Sequence, residues 1–592
     1  SGLSIDNSST VTDFSASNLT PVSIASGKNL SGNITINTGG TIQLNAAGTL
    51  AANSVLAGGK LKVNESATVS GIFSITGNST IEVASGKTVN FSNGVINTQN
   101  YELTLNNSGT VSFPQNTSGI VLNNADGLLK LSGTGIVQEV QVTTASNAGK
   151  GIEVNGSGTV SSLMILADTE LYIANGKKLS GSAEIADNKT LKLTGTGNFG
   201  STIDLKGTLE AGANLTVSGA ISVAGNAAAV SIPAAGTTLL KTGGALNVGA
   251  HTLSIGGAGT FQFHYWSGLV LDVANSILNL TGSGTISGPV KLENGTVKST
   301  GSPTISLYGA LTYQHPVLSA DVTIDVATGQ TLTYTNPYEN GLSLGANTLT
   351  LIGGGTFNNT NALVLNNADS LLVLDGATTI KDVKATTSAN TGKGIKVIES
   401  AALGELDLSA KSYLDIAANK TLGGQINLLN NADLIISGSG EYTGNIALAG
   451  GRFSLLNNKD LTGSLSLSAN SELNVPQGTI LVINQSGNLQ LNQKKLAFNG
   501  EGKLTFKNSI NISGGELQAG DGTLEFNDGG SVAKLTLDNT TLVLQDNLTV
   551  GEIFKTTGIE PTLQFNNNSL DLTSDNVQME LGTSLDLNNI TT

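Results

Sequence analysis

The chain of 592 residues has no cysteine and a single arginine, Arg452, and its net charge is −15. The missing cysteine is compatible with export across a bacterial envelope, and it removes cysteine as a catalytic nucleophile. Nucleic-acid binding needs lysine and arginine to neutralise phosphates, so we expect no nucleic-acid partner. Docking on an anionic membrane surface is disfavoured for the same reason. No run of about 18 apolar residues occurs, so we also expect no membrane insertion.

Aromatic and charged residues are scarce as well. They make up 4% and 12% of the chain, whereas hydrophobic residues reach 39% and glycine numbers 75 residues. The hydrophobic residues are mostly Ala, Val, Ile and Leu, so the chain can bury a core, but a narrow aliphatic one. A chain of this length divides into several domains unless it is a repeat protein that grows in one dimension. The composition favours the repeat protein.

Long internal repeats are present. The segment 119–205 aligns with 362–448 at a constant offset in numbering, without a gap. Within it, "TASNAGKGIEV" at 144–154 matches "TSANTGKGIKV" at 387–397. A weaker third copy begins at residue 268. These matches indicate an internal duplication of a block of several structural units.

A shorter repeat lies inside the long one. The segments "TIQL" at 41–44, "KLKV" at 60–63 and "TIEV" at 80–83 recur at a nearly constant spacing. Each alternates apolar and polar residues with period two, and no long segment has the apolar spacing of a helix. We therefore predict an all-β fold: one continuous, right-handed parallel β-helix (β-solenoid) over residues 1–592, with turns of about 18–20 residues and about 30 turns. A series of sandwich domains would not give so steady a spacing.

One corner motif recurs between the predicted strands, as at 24–30 ("IASGKNL"), 173–179 ("IANGKKL") and 326–332 ("VATGQTL"). A strand ends on an aliphatic residue and alanine, and a glycine or asparagine follows. That residue is expected to adopt the left-handed conformation that other residues resist. The next strand starts shortly after the lysine or glutamine. The motif predicts tight corners between stacked turns.

A second motif contains carboxylates that could form a metal-binding or catalytic site. "VLNNAD" occurs at 121–126 and 364–369, and "LLNNAD" at 428–433, each with a carboxylate (Asp126, Asp369 and Asp433). The offset of the duplication aligns Asp433 with Thr190, and the third copy aligns Asp126 with Asn275. A metal-binding or catalytic carboxylate has to keep its position. We therefore interpret the motif as a corner whose asparagines hydrogen-bond the backbone, and we predict no metal site.

Catalysis has little support in the sequence. Many parallel β-helices are polysaccharide lyases or hydrolases, which is an argument from fold analogy. A lyase for acidic sugars needs acidic clusters beside Lys or Arg, and the one arginine has no such cluster next to it. A hydrolase needs only two carboxylates a few Å apart, which neighbouring turns could supply, so this alternative stays open. With no cysteine nucleophile and only three histidines, we predict no enzyme and no cofactor.

One region, 261–340, is an aromatic-rich elaboration of the repeat and contains the only tryptophan. The candidate binding residues are His264, Tyr265, Trp266, Tyr308, Tyr313, Tyr334 and Tyr338. An exposed group of aromatic rings could stack on sugars or anchor a partner protein. The alternative is that these rings pack on the flank of the solenoid.

Alternating sequence lies close to both ends, in "SGLSIDNSSTVTDF" at 1–14 and "MELGTSLDLNNITT" at 579–592. The terminal turns of a solenoid carry unpaired strand edges. We therefore expect self-association end to end, by strand pairing between copies.

The turns rich in Gly, Asn, Ser and Thr, of the type G-x-I-x-L-x-x-x-x-T-L-x-L-x-G-x-G, resemble bacterial surface β-helices. These are the autotransporter passengers and the filamentous-haemagglutinin-like adhesins. The resemblance covers essentially the whole chain and lies in composition and turn pattern. It implies a secreted, non-enzymatic structural or adhesive protein of the bacterial cell surface, with a glycan or protein of a host or cell surface as partner. The alternative is a carbohydrate-binding or polysaccharide-degrading β-helix that acts through residues 261–338.

Overall fold

The protein is an all-β, parallel β-solenoid of about 26 turns, as expected from the repeat. The computed structural model describes residues 3–17, 22–114, 119–264, 267–292, 294–307, 318, 320–335, 341–376, 379–558, 561–572 and 577–580. Over these residues the regular structure consists of strands. In this part of the chain no helix is long and apolar enough to cross a membrane.

The strands are short and follow one another closely along the chain. Strands β1 to β35 are Leu3–Ile5, Ser9–Ala16, Val22–Ile24, Asn29–Asn37, Thr41–Leu44, Thr49–Leu50, Asn53–Ala57, Lys60–Val63, Ala67–Val69, Phe73–Gly77, Ser79–Val83, Thr88–Phe91, Val95–Asn97, Glu102–Leu105, Thr110–Ser112, Gly119–Leu122, Leu128–Leu131, Ile136–Val142, Gly151–Val154, Gly158–Ile165, Thr169–Ile173, Lys178–Ile185, Thr190–Gly195, Asn198–Phe199, Thr202–Leu205, Thr208–Ala211, Leu215–Val217, Ile221–Val223, Ala229–Ile232, Thr238–Lys241, Ala245–Asn247, Thr252–Gly257, Thr260–Phe263, Gly268–Leu271 and Ile277–Leu280.

The second half of the chain continues in the same way. Strands β36 to β70 are Thr285–Gly288, Val290–Leu292, Gly295–Ser299, Thr304–Leu307, Val322–Val326, Thr331–Thr335, Leu342–Ser343, Thr348–Ile352, Thr356–Asn359, Leu363–Leu365, Leu371–Asp375, Thr379–Ala385, Gly394–Val397, Ala401–Leu408, Ser412–Ile416, Thr421–Leu428, Asp433–Ser437, Glu441–Tyr442, Asn445–Ala449, Arg452–Leu455, Lys459–Leu461, Leu465–Ala469, Ser471–Asn474, Ile480–Ile483, Gly487–Gln490, Lys495–Asn499, Lys503–Phe506, Ile510–Ala519, Gly522–Phe526, Gly530–Asp538, Thr540–Leu544, Leu548–Thr557, Thr562–Gln564, Leu570–Asp571 and Gln578–Glu580.

The chain forms two compact units. The first comprises Ser1–Lys291 and Ser302–Thr312, and the second comprises Leu292–Gly301 and Tyr313–Thr592. Inside each unit a strand pairs in parallel with the strand one turn later, as β8 does with β11 and β52 does with β55. This pairing is what defines a solenoid, because each turn adds one layer of strands to the layer before it.

Several turns are longer than predicted. Ile42 pairs with Leu61, which matches the expected spacing, but Leu103 pairs with Leu129, which lies farther along the chain. Both turns contain three strands, β5 to β7 in the first and β14 to β16 in the second, so the additional residues lie in the connections between strands. The connection from β16 to β17, at 123–127, is longer than the one from β7 to β8, at 58–59. These longer turns explain why the chain makes about 26 turns, fewer than expected.

The core consists of aliphatic ladders, in which each inward side chain lies on its counterpart in the next turn. In the first unit one ladder runs through Leu129, Ile152, Leu171 and Leu193. In the second unit the equivalent residues of the duplication, Leu372, Ile395, Leu414 and Ile436, form the same ladder. None of these eight side chains is more than 2% exposed. Each fully buried leucine or isoleucine contributes roughly 1.5–3 kcal/mol through removal of apolar surface from water.

The corners have the predicted backbone. Gly27, Gly176 and Gly329 have φ angles of 70°, 71° and 77°, and Asn188 has a φ of 57°. These left-handed values confirm the corner motif, since a residue with a β-carbon adopts them only at a cost.

A second type of glycine lies inside the long strands. Gly181 in β22 and Gly424 in β51 have φ angles of 121° and 122°, and both lie at a shift in strand register. A β-carbon on Gly181 would lie 1.7 Å from the carbonyl oxygen of Val160 in the preceding turn. Both the conformation and the close approach of the two backbones therefore require glycine here.

Candidate functional site

Most of the predicted aromatic platform falls outside the described residues. Tyr265, Trp266, Tyr308, Tyr313 and Tyr338 are among the residues that the structure does not describe. The two remaining members are His264, which is half-buried after β33, and Tyr334, which is buried.

Tyr334 belongs to the core, which corrects its assignment to an exposed platform. It is an inward residue of β41, it is 3% exposed, and its ring centroid lies 6.3 Å from that of Phe357 in the next turn. Its hydroxyl is buried and has no hydrogen-bond partner among the described residues. Burial raises the pKa of the Tyr334 hydroxyl far above its ordinary value. The period-two alternation of β41 places the ring inside, next to the other core residues.

We expect Tyr334→Phe to raise the free energy of unfolding by about 1 kcal/mol, because the substitution removes a buried hydroxyl that has lost its bonds to water. Urea unfolding of the two proteins would measure the difference. Thr333→Ala, in the same strand, serves as a control for general effects of substitution in β41. A clear loss of stability in Tyr334→Phe would show that the hydroxyl has a structural partner.

The first NNAD corner is held by hydrogen bonds. The backbone N–H of Gln99 in the preceding turn donates to Oδ1 of Asn123 at 3.0 Å, and the N–H of Asp126 donates to Oδ1 of Asn124 at 3.0 Å. In the following turn, Nδ2 of Asn147 donates to Oδ1 of Asp126 at 2.8 Å. The motif therefore connects three successive turns, which confirms its structural interpretation.

The second corner repeats these bonds at the equivalent positions of the duplication. Oδ1 of Asn366 accepts from the N–H of Gly345, and Oδ1 of Asn367 accepts from the N–H of Asp369, both at 3.0 Å. Nδ2 of Asn390 donates to Asp369 at 2.8 Å. In the third copy Asp272 takes the position of Asn123 and accepts from the N–H of Gly249 at 3.0 Å. An amide and a carboxylate are thus interchangeable here, because both supply an acceptor oxygen.

We expect the double substitution Asn123→Val with Asn124→Val to lower the free energy of unfolding by about 2 kcal/mol, since each change leaves one backbone N–H without its acceptor. Asp126→Asn should change it by less than about 0.5 kcal/mol, because an amide oxygen can still accept from Asn147. Thermal unfolding followed by circular dichroism compares the variants. The opposite order of effects would indicate that the carboxylate itself has a role.

The third NNAD sequence differs from the other two. Asn431 has a left-handed φ of 64°, and Asp433 begins strand β52 instead of lying in the corner. The guanidinium of Arg452 donates to Oδ2 of Asp433 at 2.7 Å, and the hydroxyl of Ser454 donates to Oδ1 at 2.9 Å. The hydrogen bond to Asp433 raises the pKa of the Arg452 guanidinium. This carboxylate lies in a surface groove.

The groove around this pair, which we call the Arg452 groove, has a volume of about 580 Å³. It crosses five strands of the second unit, β52, β55, β58, β61 and β63. Register stacks Asp433, Arg452, Glu472, Ala497 and Gln518 one after the other along it. Asn431, Asn470, Lys495 and Asn499 also line it. The two acidic and two basic side chains balance, so the groove is polar and electrically neutral.

A second groove, of about 550 Å³, lies in the same unit and is lined by Asp382, Lys384, Glu405 and Asp407 among others. Nδ2 of Asn427 donates to both Glu405, at 2.5 Å, and Asp407, at 2.8 Å. Neighbouring strands thus do bring carboxylates together. Each of these two carboxylates accepts from the same bridging amide, and the Glu405 side chain is exposed to water.

Across the described residues, no group of three or more histidine, aspartate and glutamate side chains is arranged to hold a metal ion. The charged side chains instead pair between adjacent turns. Lys130 lies between Glu102 at 3.0 Å and Glu153 at 3.6 Å, and Lys420 contacts Glu399 at 2.6 Å. These exposed pairs each contribute at most about 1 kcal/mol.

Two lysines are buried in the interior. Lys241, at the end of β30, is 0% exposed, and Lys459, at the start of β56, is 2% exposed. Nζ of Lys459 donates to the carbonyls of Gly438 at 2.8 Å and Gly440 at 2.5 Å. Nζ of Lys241 has one long hydrogen bond, to the carbonyl of Gly244 at 3.4 Å. Burial lowers the pKa of both side chains, that of Lys241 to about 8.

No protein-family model matches the chain, and no curated protein matches its sequence. The function is therefore inferred from the fold and from the surface of the described residues.

Sequence reasoning missed the Arg452 groove because its lining comes from five strands, distributed from β52 to β63. One signal was available. The only arginine of the chain follows Asp433 at the spacing of one turn. In a parallel solenoid, that spacing places the two side chains next to each other.

Proposed function

We propose that the chain is a secreted, non-enzymatic structural or adhesive protein of the bacterial cell surface that associates end to end. The observation that carries this proposal is the use of polar side chains to connect one turn with the next. Ser157 accepts from the N–H of Lys178 at 3.2 Å, and Ser400 accepts from the N–H of Thr421 at 3.1 Å. Such bonds support a scaffold that extends by repetition.

The surface location and the adhesive role rest on the resemblance of the turns to autotransporter passengers and filamentous-haemagglutinin-like adhesins. A glycan or protein of a cell surface would be the partner. The first described turn provides the strand for the proposed contact between copies. Strand β2 pairs with β4, and among the described residues it pairs with no other strand. We propose that strand pairing between copies uses the second edge of β2.

The opposite end of such a contact would come from the alternating sequence at 579–592. Only Met579 and Glu580, the last residues of β70, are described there, and residues 581–592 lie outside the described part.

Negative-stain electron microscopy of the purified protein over a range of concentrations tests the assembly. We expect filaments that lengthen with concentration. Thr12→Pro should shorten or abolish them, because Thr12 lies in the bulge of β2, outside its register with β4, and proline removes a backbone donor. Discrete particles at every concentration would contradict end-to-end association.

A further inference from the structure

We infer that the Arg452 groove binds a neutral, extended oligosaccharide. The inference goes beyond the structural role and does not rest on it.

The charges of the groove are not needed for the fold. In the first unit the position of Asp433 is held by Thr190, which pairs with Thr208 as Asp433 pairs with Arg452. The next partner in register is Ala229, where the second unit has Glu472. The same layers of strands therefore form with two threonines and an alanine. The ion pair and the additional carboxylate in the second unit are properties of its surface.

The lining indicates the class of ligand. It combines guanidinium, ammonium and amide donors with carboxylate and amide acceptors, and it includes no aromatic or large aliphatic side chain. A protein partner would find none of the aromatic anchors that dominate protein interfaces. Binding of a polyanion is not favoured, because the two acidic and two basic side chains leave the groove without net positive charge. A chain of hydroxyl groups suits this mixture, since each hydroxyl both donates and accepts.

Several of these groups are available to a ligand. Among the described residues, Glu472, Lys495 and Gln518 have no side-chain hydrogen-bond partner. Asp433 is different, because Arg452 and Ser454 hold it in place. The pair therefore positions the guanidinium, whose side chain is 47% exposed, at the edge of the groove. A pre-positioned donor loses little conformational freedom when a ligand binds.

The spacing also fits a linear sugar chain. Equivalent side chains on neighbouring strands are about 4.8 Å apart, which is close to the length of one sugar residue in an extended chain. The five stacked positions from Asp433 to Gln518 would face about as many sugar residues. The small side chain of Ala497, between Glu472 and Gln518 in the row, leaves room for a ring.

Isothermal titration calorimetry with cellohexaose, xylohexaose and chitohexaose tests the inference on the full-length protein. We expect at least one of these neutral hexasaccharides to bind. Replacing the pair by the residues of the first unit, Asp433→Thr with Arg452→Thr, should weaken that binding at least tenfold, since charge-assisted hydrogen bonds are lost. The melting temperature should stay nearly constant, because the first unit folds with threonines at these positions.

A matched control removes an equivalent ion pair elsewhere on the second unit. Glu399→Thr with Lys420→Thr eliminates a contact of 2.6 Å between adjacent turns and should leave the affinity unchanged. Binding of none of the three sugars, binding of polygalacturonate alone, or equal affinity of the wild type and the Asp433/Arg452 variant would each overturn the inference. Electron microscopy decides end-to-end association separately, so the two proposals can fail independently.

Discussion

Lys241→Met is expected to raise the free energy of unfolding at pH 7 by about 3 kcal/mol. Lys241 is fully buried and pairs with Val217 and Phe263 of the neighbouring strands, and its ammonium donates to the carbonyl of Gly244 at 3.4 Å. Burial lowers its pKa from 10.5 to about 8, so it is charged at pH 7 in an unfavourable place. Each unit of pKa difference corresponds to about 1.4 kcal/mol. Methionine has a similar length and no charge to desolvate.

The same shift predicts how stability depends on pH. Below about pH 8 both the folded and the unfolded protein carry the charge, and the full cost of burying it is present. Between about pH 8 and 10.5 the unfolded chain binds the proton while the folded chain has released it, so the stability of the wild type rises with pH. Lys241→Met should lack this rise. Urea unfolding at pH 7, 8, 9 and 10 measures both effects.

Lys459→Met is the appropriate comparison. The Lys459 ammonium donates to the carbonyls of Gly438 and Gly440, and the negative charges of Asp415 and Glu441 favour its charged form. Methionine would remove both hydrogen bonds and leave the carbonyl of Gly438 with Nδ2 of Asn457, at 3.3 Å, so we expect a loss of stability instead of a gain. If both variants gained stability equally, the hydrogen bonds of Lys459 would contribute nothing, and burial alone would set the cost of an interior lysine.

Gly181→Ala is expected to lower the free energy of unfolding by at least about 3 kcal/mol. The new β-carbon would lie 1.7 Å from the carbonyl oxygen of Val160 and 2.6 Å from its carbonyl carbon. Since both are backbone atoms of a paired strand, relief requires the two turns to separate. The φ angle of 121° adds strain for any residue with a side chain.

Gly176→Ala, in the corner just before the same strand, isolates the contribution of the backbone angle. Gly176 has a φ of 71°, but a β-carbon there would meet no atom within 4 Å. The expected loss is about 1 kcal/mol, which is the cost of the left-handed conformation alone. Thermal unfolding of the two variants gives the comparison. Equal losses would show that the contact with Val160 relaxes freely and that φ accounts for the whole effect.

The corners were predictable from the sequence because their chemistry is local. A glycine or asparagine at such a corner favours the left-handed backbone conformation, and Gly27 and Asn188 adopt it. The NNAD motif was predictable for a related reason. Comparison of its copies showed that the carboxylate moves, and the bonds of Asn123, Asn366 and Asp272 to the preceding turn show that this position needs an acceptor oxygen.

The interior lysines were harder to predict. In "TLLK" at 238–241, placing Leu240 inward would leave Lys241 in solvent, whereas the structure buries Leu239 and Lys241. Because Leu239 and Leu240 are adjacent, the apolar pattern is satisfied whether Leu239 or Leu240 points inward. The pattern alone therefore does not predict whether Lys241 is buried. Pairing with Phe261 and Phe263 in the next turn makes Leu239 and Lys241 the inward residues, because it aligns the inward positions of the two strands.

By itself the sequence determined the all-β parallel solenoid, the aliphatic ladders and the corner conformations. These depend on the alternation within one strand and on its recurrence along the chain. The tertiary structure was needed to show which connections lengthen the turns, that Tyr334 is in the core, and that the Arg452 groove exists. The physical reason is register. Alternation divides the residues of a strand between inside and outside, but the neighbours of each residue belong to other turns. When the length of a turn varies, only the pairing of strands shows which residues meet.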